Sequence, residues 1–140
     1  MMECFHCTTK EVILYLVSKE ITIIPKSTYI EERSDVSNHL YFFVYNIQIL
    51  NESDKTYQLL SRYWEITDSN QNKQIIKGDG VVGEQPIIKP KHKYSYHSFC
   101  PLKTQFGTMK GYYIFKENLS GDEYQVKIPE FVLTAPNSIN

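Results

Sequence analysis

This 140-residue chain has almost no alanine, only 3 cysteines, a net charge of −1 and no long apolar run. Each shortage excludes something. Near-neutral charge gives no general field for a polyanion, so a dedicated nucleic-acid binder is not expected. The longest apolar run near the start, Val12-Ile-Leu-Tyr-Leu-Val17, falls far short of the ~20 residues that cross a bilayer. It also lacks a basic n-region and a small-residue cleavage site, so neither a signal peptide nor membrane insertion is expected. The chain therefore reads as cytoplasmic, with Cys4, Cys7 and Cys100 as reduced thiols.

Aromatic residues stand where alanine is missing. The chain holds 11 Tyr and 7 Phe, which fit a pleated, half-buried surface and tilt the composition towards sheet. The length suits one domain that buries roughly 68% of its unfolded surface. Charge is uneven: residues 1–70 carry more acidic than basic groups, and residues 71–140 the reverse.

Alternation dominates the chain. Glu11 to Ile24 reads as a strand ended by Pro25. Leu40 to Asn51 is the clearest strand, with Phe43, Tyr45, Ile47 and Ile49 on one face. Tyr57 to Thr67 follows, with Leu60, Arg62, Trp64 and Ile66 sharing a face. Further strands are expected near Gln74–Lys77, Val81–Ile88, Lys93–Ser98, Met109–Lys116 and Tyr124–Ile128, with Pro101 closing the region after Ser98. Seven or eight short strands between turn residues predict an all-β fold. The architecture expected is an immunoglobulin-like or fibronectin type III-like β-sandwich of antiparallel strands in two sheets. No two-cysteine bridge is available, which favours the fibronectin-like relatives. Residues 1–10 and 134–140 read as tails around a domain at 11–133.

Gly78-Asp-Gly-Val-Val-Gly-Glu-Gln-Pro86 contains Gly78, Gly80 and Gly83 at the G-x-G-x-x-G spacing of a dinucleotide-binding turn. That turn needs a helix after it, whose N-terminus holds pyrophosphate. Pro86 and Pro90 follow instead, and proline disrupts a helix interior. The dinucleotide reading is excluded, and a glycine-rich loop leading into extended chain remains.

Loop and surroundings together resemble the ApaG family (ApaG domain, DUF525-like). The matching segments are Leu60-Ser-Arg-Tyr-Trp64, Gly78 to Pro86, Pro101-Leu-Lys-Thr104, Gly107-Thr-Met-Lys-Gly-Tyr112 and Ile128-Pro-Glu-Phe131, in the family's order. The resemblance covers roughly residues 11–133. It implies a fibronectin type III-like sandwich, an association with cobalt and magnesium resistance or efflux, and a protein-binding role like that of the domain in eukaryotic F-box proteins. It implies no enzymatic activity. The chain departs from the family after Pro90, where Lys91 and His92 replace the usual glycine and acidic residue.

Two readings of the loop stand at this stage. In one, backbone N–H groups freed by Gly78, Gly80 and Gly83 form a nest for phosphate, pyrophosphate or a nucleotide, with or without Mg²⁺. Arg62, Lys91 and Lys93, with Lys77 and Lys89, would supply charge. In the other, the glycines shape a bulge or tight turn, and Glu84 and Gln85 are exposed for a protein partner. Arg62 is either an anion ligand or a structural group bonded to loop carbonyls or to Glu84. Cys4-x-x-Cys7 supplies half of a zinc site and reads as a tail with two ordinary thiols. His97 and Cys100, three apart on a strand, point to opposite faces and do not form a nucleophile and base. Glu31-Glu32 and Asp122-Glu123 are solvated pairs that would hold Mg²⁺ only through water.

The sequence thus predicts a non-enzymatic binding module with no cofactor of its own. Mg²⁺ or Co²⁺ is the ion the resemblance brings in, an unidentified protein is the expected partner, and an exposed edge strand is available for a homodimer. A phosphate-type anion at the glycine loop is the alternative ligand.

Overall fold

A computed structural model describes residues 20–136. Strands β1 (Ile21–Tyr29), β2 (Tyr41–Asn51) and β6 (Lys93–Leu102) form one sheet in the order β1-β2-β6. Strands β3 (Tyr57–Asp68), β4 (Lys73–Asp79), β7 (Phe106–Glu117) and β8 (Glu123–Thr134) form the other, in the order β4-β3-β7-β8. The short β5 (Ile87–Ile88) pairs with β3 beside β4. All pairings are antiparallel, and the two sheets make the expected immunoglobulin- and fibronectin-like sandwich. Among the described residues no helix is long and apolar enough to cross a membrane.

Strand β2 shows why the alternation was readable. Phe43, Tyr45, Ile47 and Ile49 are buried, while Asn46 and Gln48 between them are exposed. Period two puts one set on the core face and the other in water. Each fully buried side chain of this size contributes roughly 1.5–3 kcal/mol relative to leaving it exposed. Trp64 of β3 sits at the centre of the core. Its ring meets Tyr45, Phe131 and Tyr113 edge-on, at centroid distances of 5.4, 5.9 and 6.3 Å. Among the described residues Trp64 Nε1 has no hydrogen-bond partner.

Prolines differ from expectation for one physical reason. Pro25 does not end a strand; it lies within β1 opposite Ile47. Pro101 likewise lies within β6 opposite Phe42. Both strands are sheet edges, where a missing N–H costs no ladder bond if it faces outward. The part of the expected first strand before Glu20 lies outside the described residues, as do Cys4 and Cys7.

Two bulges reset the inward pattern. On β3 the register slips between Leu59 and Ser61, so Leu60 is the extra residue. Tyr57 and Leu59 face the core before the slip, and Trp64 and Ile66 after it. Leu60 at the slip is half-buried, and the alternation that buries Trp64 and Ile66 does not continue through it to Leu59 and Tyr57. On β8 the register slips opposite Met109–Gly111, near Pro129 and Glu130. Val126 and Ile128 face in before it, and Leu133 after it. β8 reaches Thr134, and the following Ala135 is buried with its N–H on Gln105 O at 3.0 Å.

Gly111 is where the sheet demands glycine. A Cβ there would lie 1.8 Å from Tyr63 O and 3.1 Å from Trp64 Cα, both backbone atoms of the neighbouring strand.

Candidate functional site

The bulge in β3 creates the platform for the glycine loop. An extra residue leaves a carbonyl outside the regular ladder. Leu60 O accepts from Gly80 N at 2.7 Å and from the Gln85 side-chain amide at 2.8 Å. Beside it, Leu59 N donates to Pro86 O at 3.0 Å and Gln58 Nε2 to Gln85 O at 3.1 Å. Both ends of the loop are thus stapled to one short stretch of β3.

Arg62 is the third attachment. Its Nη1 donates to Asp79 O at 3.0 Å and to Gly80 O at 2.9 Å. The guanidinium lies across Gly78, its register partner; a Cβ at 78 would come within 3.3 Å of both Nη atoms. Arg62 therefore takes the structural position considered in the sequence, bonded to loop carbonyls rather than to Glu84. Its charge slightly lowers the pKa of Tyr45, Tyr96 and Tyr113, against a larger rise from burial. The Tyr113 hydroxyl meets that of Tyr96. Desolvation holds both phenols well above their ordinary pKa; the contact between them raises Tyr113 further and partly offsets the rise at Tyr96. They are neutral hydrogen-bonding groups at physiological pH.

The loop tip is a tight hairpin rather than the strand expected over Val81–Ile88. Val81 N bonds Glu84 O at 2.8 Å and Glu84 N bonds Val81 O at 3.0 Å. The two residues between, Val82 and Gly83, have φ of 48° and 79°. Positive φ at both central positions defines the primed turn that matches strand twist, and Asn-Gly is its favoured sequence. A β-branched residue in that conformation is a genuine outlier. Gly80, with φ 64°, cannot carry a side chain, because a Cβ would sit 2.2 Å from Glu84 O.

The two valines part company here. Val81 is fully buried and anchors the loop, whereas Val82 is 61% exposed and does not. Ile87, just beyond Pro86, is also mostly exposed. Sequence reasoning identified the loop by its glycines and missed Val82, because nothing in the residue type announces a left-handed conformation.

Not every expected site residue gathers here. Arg62, Gly78, Gly80, Gly83, Glu84 and Gln85 do. Lys91 and Lys93 instead line an open depression with Leu50, Asn51 and Glu52. Lys91 Nζ donates to Glu52 O at 2.7 Å and lies 3.6 Å from Asp54. Lys91 also has φ 63°, following Pro90 in a turn closed by His92 N on Lys89 O at 3.1 Å. That is the position where proline is normally followed by glycine. The charges of Lys91 and Lys93 therefore sit at another turn, while Lys77 stays beside Arg62 and Gly78.

Three of the loop's main-chain donors are also committed. Gly80 N, Val81 N and Glu84 N bond within the protein, as does Arg62 Nη1. His97 is exposed while Cys100 is 2% exposed, on opposite faces of β6. Burial pushes the Cys100 thiol up to about 12, so it is not a thiolate at neutral pH.

The model of the DUF525 ApaG domain matches residues 31–117. Protein ApaG of Brucella canis is 41% identical over 120 residues, covering 86% of this chain and 92% of that protein. Protein ApaG of Mesorhizobium japonicum is 42% identical over 122 residues, covering 87% and 93% respectively. A crystal structure described as an ApaA protein from Bordetella pertussis superposes with a TM-score of 0.81 at 38% identity, covering 84% of this chain and 95% of that one.

Proposed function

The chain belongs to the ApaG family, and on that premise we propose that it is a non-catalytic protein-binding module whose contact surface is the stapled hairpin from Gly80 to Gln85. The observation that carries this reading is Val82. The fold could close the same turn with Asn or Gly at lower conformational energy. Instead a β-branched apolar side chain is held at φ 48° and 61% exposed. Strain of this kind costs about 1–3 kcal/mol and persists where surrounding bonds enforce it, typically at binding sites. Glu84 beside it is exposed, and the staples to Leu60 and Arg62 pre-organise both residues. A rigid tip loses little entropy when it docks.

The alternative, a phosphate or pyrophosphate nest, is supported less. Three of its amides and the nearest guanidinium nitrogen are already bonded, and Lys91 and Lys93 serve another corner. Under this reading a part in cobalt or magnesium resistance is indirect, exerted through the bound protein.

The test is capture from lysate with wild-type protein, Glu84→Lys and Val82→Asn in parallel. One protein retained by wild type and lost from both variants is expected. Retention unchanged in both variants places the interface elsewhere. A melting-temperature rise with pyrophosphate, abolished by Gly80→Val, would favour the anion reading instead.

A further inference from the structure

Among the described residues the sandwich has four strand edges. β1 and β8 close on each other, with Ser27 Oγ on Val132 O at 2.7 Å. Among the described residues, β4 pairs only with β3, and β6 only with β2. An unpaired edge offers a row of N–H and C=O groups to another strand.

Which groups face out on β4 follows from its pairing. Antiparallel ladders alternate bonded and non-bonded residue pairs. Asp68 N bonds Asn72 O, and Gly80 N bonds Leu60 O, which fixes the phase. In the β3–β4 register, Gln74, Ile76 and Gly78 then bond to β3, while Lys73, Ile75, Lys77 and Asp79 direct their main-chain groups outward. Arg62 Nη1 reaches Asp79 O from the side, in agreement with that orientation.

We propose that β4 is a self-complementary edge through which two copies of this chain pair antiparallel, about a twofold axis at Ile76. In that register Lys73 of each copy lies opposite Asp79 of the other, and Ile75 opposite Lys77. Each of these outward pairs exchanges two main-chain hydrogen bonds. Asp79 O already takes Arg62 and accepts the second donor on its other lone pair. Lys73 has its own chain's Glu65 at 3.2 Å, so a carboxylate on each side would hold it. The neighbouring twofold register, about Ile75, sets Lys73 against Lys77 and is disfavoured by like charge. Edge β6 offers no such match. Its outward residues are Lys93, Ser95, His97, Phe99 and Pro101, and the last has no N–H to give.

So short an interface is weak, with a dissociation constant on the order of 0.1 mM. The pairing is independent of the loop reading, since it needs no second protein.

Sedimentation equilibrium over a concentration series tests it, with circular dichroism to confirm folding of each variant. Lys73→Asp and Asp79→Lys should each weaken association about tenfold or more. The charge-swapped double variant should restore it to within about threefold. Ile75→Pro should abolish association while keeping the fold, because residue 75 gives no N–H to β3. If that variant unfolds, the charge-swap series decides alone. A wild type that stays monomeric up to ~1 mM overturns the proposal. So does a dimer that survives a folded Ile75→Pro variant, or one that the double variant fails to restore.

Discussion

Replacing Val82 by Asn should stabilise this protein. Val82 and Gly83 occupy the central positions of a turn that favours Asn-Gly, with φ of 48° and 79°. A β-branched residue there costs about 1–2 kcal/mol relative to one that tolerates the left-handed region. Against that gain stands the apolar burial lost. Val82 is 61% exposed, so the buried remainder is worth about 0.5–0.8 kcal/mol. The net gain is then about 0.2–1.5 kcal/mol, a rise of roughly 1–5 °C in melting temperature for a domain of this size. Differential scanning calorimetry reads it directly. Val82→Ala is the control: it loses the methyl groups and keeps most of the strain, so it should gain little. An Asn variant melting at or below wild type, or an Ala variant gaining as much, would refute the strain argument.

Gly111→Ala should be among the most damaging single changes, costing about 4 kcal/mol or more, because its Cβ meets main-chain oxygen at 1.8 Å; near-wild-type thermal melting would contradict this. Arg62→Lys should lower stability by about 1–2 kcal/mol, since the lysine head lacks the guanidinium fork lying across Gly78. Hydrogen exchange at Gly80 N should quicken in that variant, and unchanged exchange and melting would argue against the staple. Glu117 gives a pH prediction. The Leu119 amide at 2.6 Å, and then the Ser120 amide, lower its pKa against the opposing effect of burial. A carboxyl depressed in the fold stabilises above its unfolded value of 4.5 and loses that contribution as pH falls through the folded value. Wild type should therefore exceed Glu117→Gln in urea resistance at pH 7, with the gap closing below about pH 4. A gap constant with pH would count against it.

Much of the fold was legible because the side-chain period is two. Phe43, Tyr45, Ile47 and Ile49 declared the core face of β2 without help. Bulges defeat that reading, since one inserted residue at Leu60 or near Pro129 flips the parity while leaving the sequence looking continuous. Pro25 and Pro101 were read as stops because proline cannot donate. Whether that matters depends on edge placement, which is a property of the assembled sheet. The glycine loop was legible as a place where backbone geometry is special. That Leu60 O receives it, that Arg62 caps its carbonyls, and that Val82 carries the strain all depend on the bulge. Lys91 and Lys93 looked like loop neighbours because they are near in sequence, but the chain turns at Pro90–Lys91 and takes them to another corner.

The central claim is that the stapled hairpin meets a protein. A photo-crosslinking amino acid placed at position 84, with the exposed position 127 on β8 as control, tests it most directly in cells. The account predicts a discrete adduct from 84, absent from 127 and lost when Val82→Asn is added. No adduct at 84, or the same adducts from both positions, would contradict it.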